Sequence, residues 1–239
     1  MTGLIDYSDL KAVFINTTLK SSAQGESHTE LLMKNSMTIM ERQGVKVDYL
    51  RAADYEIAFG VYPDMREHGA RHDDWPGVFW PKVRDADILV LGTPLWLGEE
   101  SSICRVIIER LYAHSGQRND KGQYIYYGRV GGAMITGNED GVKHAAMTCL
   151  YALQHVGYTI PPQADCGWIG EVGPGSSYGD DGAGLDNDFT KKNTTIMSWN
   201  LMHMAHMLKK SGGIPKQGND IKAWNAGERF DHPEIGSKS

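Results

Sequence analysis

Ile88-Leu89-Val90-Leu91-Gly92-Thr93-Pro94-Leu95-Trp96-Leu97-Gly98 opens with four consecutive apolar residues and gives way to a turn punctuated by glycine and proline. A short, wholly apolar run suits a strand covered on both faces, and such strands belong to parallel sheets between helical layers. The same grammar recurs on either side. Ala12 to Ile15, Val45 to Tyr49 and Ala133 to Ile135 are further strand candidates, and Tyr158 to Ile160 is a fifth with the least apolar signal. Between and after them apolar residues recur at three and four: Met33, Met37, Met40; Ile103, Val106, Ile107, Leu111; Val142, Ala146, Cys149, Leu153; and Met197, Leu201, Met204, Leu208. Trp75-Pro76 starts a shorter helix that supplies the remaining crossover. The expectation is an α/β fold: a doubly wound five-stranded parallel sheet, order 2-1-3-4-5, with helices on both faces.

With 239 residues, 41% hydrophobic and 23% charged, the chain can bury one large core. Thirty acidic against 24 basic residues leave a net charge of −6, which disfavours nucleic acid as a ligand. Cys104, Cys149 and Cys166 have no CxxC spacing, so neither a disulfide framework nor a structural zinc site is indicated, and a reducing compartment fits. Asp6 and Asp9 stand where a secretory leader would be basic and then apolar. The run Asn193 to Leu208, free of Asp, Glu, Lys and Arg, is too short and too polar to span lipid. These features predict a cytoplasmic protein without a membrane or nucleic-acid partner. One domain is expected over residues 1–213, with excursions at 55–75 and 166–187, followed by a tail at 214–239.

In an open parallel sheet, ligands sit beyond the carboxyl ends of the strands, where the strand order reverses. The loop after the first strand carries Thr18, Leu19, Lys20, Ser27, His28 and Thr29 ahead of a helix. Its hydroxyls, cationic candidates and helix N-terminus suit a phosphate, while a plain helix cap at Ser27 or Thr29 reads equally well from these residues. After the third strand, Pro94, Leu95, Trp96, Leu97 and Gly98 offer a flat apolar surface. After the fourth, Thr136, Gly137, Asn138, Glu139, Asp140 and Gly141 offer a turn whose N–H groups can meet the polar edge of a heterocycle. The first loop holds a single glycine, Gly25, so there is no dinucleotide fingerprint, and no GxxxxGK[ST] occurs. Three neighbouring loops suited to a phosphate, a flat ring and a polar ring edge together describe flavin mononucleotide (FMN).

Those loops, with Gly173-Pro174-Gly175-Ser176-Ser177-Tyr178-Gly179, make the chain resemble the flavodoxin superfamily from about Lys11 to Lys210. Within it the resemblance is to the NAD(P)H-dependent FMN reductases and the WrbA-like NAD(P)H:quinone oxidoreductases. The resemblance implies that the first loop binds the FMN phosphate, Pro94 to Gly98 cradle the isoalloxazine, and Thr136 to Gly141 contact its pyrimidine side. It also implies a two-step cycle in which NAD(P)H, as co-substrate, passes hydride to flavin N5 and a quinone or similar flat acceptor then takes the electrons. No side-chain acid or base is required, because the cofactor carries the chemistry. WrbA-like members place a histidine beside the flavin just before the last core strand; His155 or Val156 falls at that place here, and Tyr178 is a second candidate near the ring. The alternative reading is an FMN-binding electron carrier or redox-responsive binding protein without NAD(P)H turnover.

Other patterns carry less. Gly175 to Gly179 matches G-x-S-x-G, but the strand-before, helix-after context of a hydrolase elbow is missing. His68 with His72, and His203 with His206, have helical spacing without a matching carboxylate pattern, so no metal site is expected. Asp180, Asp181, Asp186 and Asp188 do not follow a calcium-loop spacing. Trp168, Tyr178, Trp199, Trp224 and Phe230 lie outside the minimal repeating unit and suggest interface anchors in a homodimer or homotetramer.

Overall fold

The computed structural model describes residues 5–173 and 175–233; Pro174 and the ends of the domain and tail assigned above lie outside the described residues. Strands β1 (Lys11–Asn16), β2 (Lys46–Arg51), β3 (Ile88–Trp96), β5 (Val130–Gly137) and β6 (Asp165–Ile169) form a parallel sheet in the order β2-β1-β3-β5-β6. The short β4 (Glu99–Glu100) pairs antiparallel with the end of β3. Counting the parallel strands alone, the order is the expected 2-1-3-4-5. The helices are α1 (His28–Arg42), α2 (Trp80–Asp85), α3 (Ser102–Tyr112), α4 (Val142–Val156), α5 (Asp188–Lys210) and α6 (Ile221–Asn225). Among the described residues no helix is long and apolar enough to cross a membrane.

Alternation along β1 shows how the sheet sorts its side chains. Ala12 and Phe14 enter a core shared with Leu32 and Met33 of α1 and Met197 and Leu201 of α5. Val13 and Ile15 enter the opposite core, with Ile107 and Leu111 of α3 and Cys149 and Leu153 of α4. α1 starts where Ser27 accepts a hydrogen bond from the Glu30 N–H, and Arg42 in its last turn complements the helix dipole. Trp75-Pro76 begins a π-helical turn that continues directly into α2, which supplies the expected short crossover.

The fifth strand is displaced from its expected place. Tyr158 to Ile160 makes only a single bridge, Thr159 to Val130, before Pro161 and Pro162 end it; the paired strand is β6. Residues 166–169, assigned above to an excursion, therefore belong to the sheet, and the true excursion starts after Ile169. The tail does not hang free over its described part. Gln123 Nε2 donates to the Ile214 and Pro215 carbonyls at 3.1 Å each, and Lys121 Nζ donates to the Gly212 carbonyl.

Candidate functional site

A cleft of about 450 Å³ opens at the carboxyl end of the sheet, where β1, β3 and β5 deliver their loops. It is lined by Thr18, Leu19, Lys20, Ser27, His28 and Thr29 from the first loop and by Pro94, Leu95 and Trp96 from the second. Thr136, Gly137 and Asn138 complete it from the third loop, with Ser177 and Tyr178 from the excursion. Leu97, Gly98, Asp140 and Gly141 line a separate depression beside it, so the structure divides the expected site in two.

In the first loop several polar groups expected to meet phosphate are already paired. Ser27 Oγ caps α1 and also accepts from Asn16 Nδ2 at 3.1 Å. Thr29 Oγ1 lies 2.7 Å from Thr136 Oγ1 in a buried pair that ties the start of α1 to the end of β5. His28 Nδ1 accepts the Gly179 N–H at 2.8 Å, which fastens the excursion to α1. What remains for an anion is Lys20, the Thr18 hydroxyl and the N–H groups of His28 and Thr29, which as the first two of the helix have no intrahelical acceptor. Asn16, fully buried, organises the loop from below: its carboxamide accepts the Thr18 N–H at 3.0 Å and donates to Tyr49 Oη at 2.9 Å.

Behind the loop stands a charged brace. Arg51 pairs with Glu30 and donates to the Gly25 carbonyl at 2.9 Å, while Tyr49 donates to Glu30 at 2.9 Å. Burial alone would raise the Glu30 carboxyl, but hydrogen bonds from Arg51, Lys34 and Tyr49 hold it down to about 2. Arg51 is thus committed to holding the loop, which leaves Lys20 as the cation at the cleft wall.

The second and third loops meet in a ridge. β3 and β4 form a hairpin with Trp96 paired to Glu99, leaving Leu97 and Gly98 as a two-residue turn with φ of +53° and +82°. Two positive φ values mark a type I′ turn, normally the province of Asn-Gly. Glu139 accepts the Leu97 N–H at 2.7 Å, so it braces the hairpin. A Cβ on Gly141 would lie 2.7 Å from Gly98 Cα, so the two backbones touch only because residue 141 is glycine. Trp96, 51% exposed, stands on the cleft side of this ridge. At Gly137 a Cβ would lie 2.7 Å from Leu95 Cβ, so glycine there lets the Leu95 side chain pack directly against β5 at the cleft wall.

Tyr178 lines the cleft and is fixed there by its own chain. It is buried, its hydroxyl accepts from Asn35 at 2.8 Å, and its ring meets Trp168 edge-on. Ser177, not singled out above as a site residue, also lines the cleft; its sequence signal was its place in the Gly173–Gly179 segment that carries the resemblance. His155 does not reach the cleft. It sits in the last turn of α4, at the end away from Gly141, and faces an apolar groove between α3 and α4 with Tyr112, Met147 and Tyr151. Of the spaced histidine pairs, His68 stacks on Tyr62, His72 pairs with Asp74, His203 bonds to the Tyr7 hydroxyl, and His206 packs edge-on against the Tyr7 ring.

A slot with an anion-ready helix terminus at one end, an aromatic wall and a row of backbone and amide groups at the other defines a mononucleotide site of a doubly wound α/β protein. The residues present fit FMN: a phosphate at Lys20 and the start of α1, a ring between Trp96 and the Thr136–Asn138 turn. Known proteins agree. The family model for NADPH-dependent FMN reductases matches residues 16–166, and the chain belongs to that family. It is 35% identical over 207 residues to the 8-demethyl-8-aminoriboflavin-5'-phosphate synthase of Streptomyces davaonensis, covering 84% of this chain and 79% of that protein. A crystal structure of RosB with a bound 8-demethyl-8-formylriboflavin-5'-phosphate intermediate superposes with a TM-score of 0.80 at 32% identity, covering 96% of this chain and 90% of that one. A Mycobacterium bovis protein named divalent metal cation transporter MntH is 59% identical over 204 residues, 85% of this chain, which spans only 30% of that longer protein. The family's cofactor is FMN and its co-substrate NAD(P)H.

Proposed function

We propose that the chain is an FMN-dependent oxidoreductase that takes electrons from NAD(P)H and delivers them to a quinone or similarly flat acceptor. Trp96 carries this reading: a half-exposed indole at the cleft offers its flat surface to a second flat molecule next to the cofactor. FMN, when bound, supplies the two-electron carrier, and the net reaction is NAD(P)H + H⁺ + quinone → NAD(P)⁺ + hydroquinone. The chain's residues bind and orient. Lys20, Thr18 and the first N–H groups of α1 hold the phosphate, while Trp96 and Pro94 flank the ring. The Glu139 brace keeps the hairpin in place. Both flat partners need the same face, so they exclude one another. Parallel lines in double-reciprocal plots over varied NADPH and quinone support this reading; intersecting lines from a ternary complex contradict it.

A second reading has its own support. The likeness to the Streptomyces davaonensis synthase and to RosB with its flavin intermediate runs nearly the length of the chains, so a flavin phosphate is also a candidate substrate. Recovery of chemically altered flavin after turnover would favour it, and recovery of intact FMN the first. We also read the chain as a cytoplasmic homodimer or homotetramer. The exposed row Tyr112, Met147 and Tyr151 supports a subunit contact on the α3 and α4 face better than Tyr178 or Trp199, which pack within their own chain. Light scattering that shows a monomer at micromolar concentration would refute it.

A further inference from the structure

Beyond the ridge lies a shallow bay of about 670 Å³ that shares no lining residue with the cleft. Its apolar walls are Leu97, Val142 and Ile169. Its polar rim is internally paired: His144 Nε2 lies 2.9 Å from Glu99, and Lys143 pairs with Asp165. Leu97 is unusual on two counts. It occupies the first central position of a type I′ turn, where a side chain without a local hydrogen bond is strained, and it is 92% exposed. A leucine held at that cost in water, with its N–H braced by Glu139, is placed to touch something that arrives from outside.

We infer that the bay takes an apolar substituent of the acceptor whose ring enters the cleft, and that Leu97 is the residue that reads it. The inference rests on the acceptor reading above and narrows it to quinones that carry an alkyl or prenyl chain. Adjacency supplies the geometry: Trp96 faces the cleft and Leu97, the next residue, faces the bay, so a ring and its side chain can straddle the hairpin. Charge argues against the bay as a seat for a nucleotide phosphate. Lys143 is already matched by Asp165, His144 is bonded to Glu99, and Asp140 adds a further negative charge.

The test is equilibrium binding of menadione, and of menadione bearing one prenyl chain, to the oxidised, FMN-loaded full chain, read from the perturbed flavin spectrum. The prenyl compound should bind at least about fivefold tighter. In Leu97→Asn, which suits the turn and should match or exceed the parent's thermal midpoint, that preference should fall to about twofold or less, and Leu97→Met should restore it. A preference that survives in Leu97→Asn, or is absent from the parent protein while menadione itself binds, overturns the assignment. If neither quinone binds, the acceptor reading falls with it. A rise in KM for NADPH in Lys143→Gln would give the bay to the reductant instead and equally overturn the proposal.

Discussion

Two irregular segments, 55–75 and the ridge at 96–98, both interrupt the repeating unit, and they are built on opposite principles. In the first, polar groups are paired within the fold. Buried Asp73 accepts the N–H groups of Ala58, Met65 and Trp75 and the guanidinium of buried Arg110 at 2.7 Å, and Arg110 also donates to the Pro63 carbonyl. Trp75 donates to His114 Nε2 at 2.9 Å, and Trp80 stacks on the same imidazole. The ridge does the reverse: a strained backbone, a half-exposed indole and a leucine in water. The first segment also leaves Phe59, Val61 and Tyr62 exposed, so what sets the ridge apart is its backbone, which holds the non-glycine Leu97 at positive φ.

The largest expected effect therefore lies in the segment far from the cleft. Arg110→Ala leaves Asp73 buried without its cation and should cost about 3–5 kcal/mol in denaturant unfolding. A loss below about 1 kcal/mol would show that the backbone donors alone satisfy Asp73. Next comes acid. Burial, and then the nearby Arg110 charge, lower His114 from its ordinary value to about 4, so the folded chain keeps it neutral while the unfolded chain protonates it. Its contribution is whole above about pH 6.5 and lost as pH falls toward 4, on the order of 3 kcal/mol in all. Thermal midpoints across that range should slope downward toward acid, and His114→Gln should flatten the slope.

On the cleft side the effects are smaller and appear in binding. Lys20→Ala should weaken FMN about tenfold while leaving riboflavin within about twofold, since only FMN presents a phosphate to α1. Equal losses for both ligands would move the phosphate elsewhere. Ser27→Ala should cost about 1 kcal/mol of stability as a lost cap, with only a minor selective loss of FMN. A selective FMN loss as large as that of Lys20→Ala would mean the hydroxyl turns from its cap to the phosphate.

The sheet order and all three cleft loops were legible because buried parallel strands are continuous apolar runs and their loops must converge. β6 was not, because an edge strand needs little burial: in Asp165-Cys166-Gly167-Trp168-Ile169 only Cys166 is buried, whereas Tyr158 to Ile160 packs on the core but pairs through a single bridge. Within the site, residue types were readable and their partners were not. Thr29 finds Thr136 across 107 residues, and His28 finds Gly179 across 151, so hydroxyls and imidazoles suited to a phosphate turn out to hold the walls together. The role of Glu139 was hidden for the same reason, since its partner is a backbone N–H made available only by the turn at Leu97.

Anaerobic reduction of the FMN-loaded chain tests the proposed electron path most directly. One equivalent of NADPH or NADH should bleach the flavin's visible absorbance, and one equivalent of menadione should restore it with intact FMN recovered. A flavin that dithionite bleaches but excess NADPH and NADH leave oxidised would contradict it.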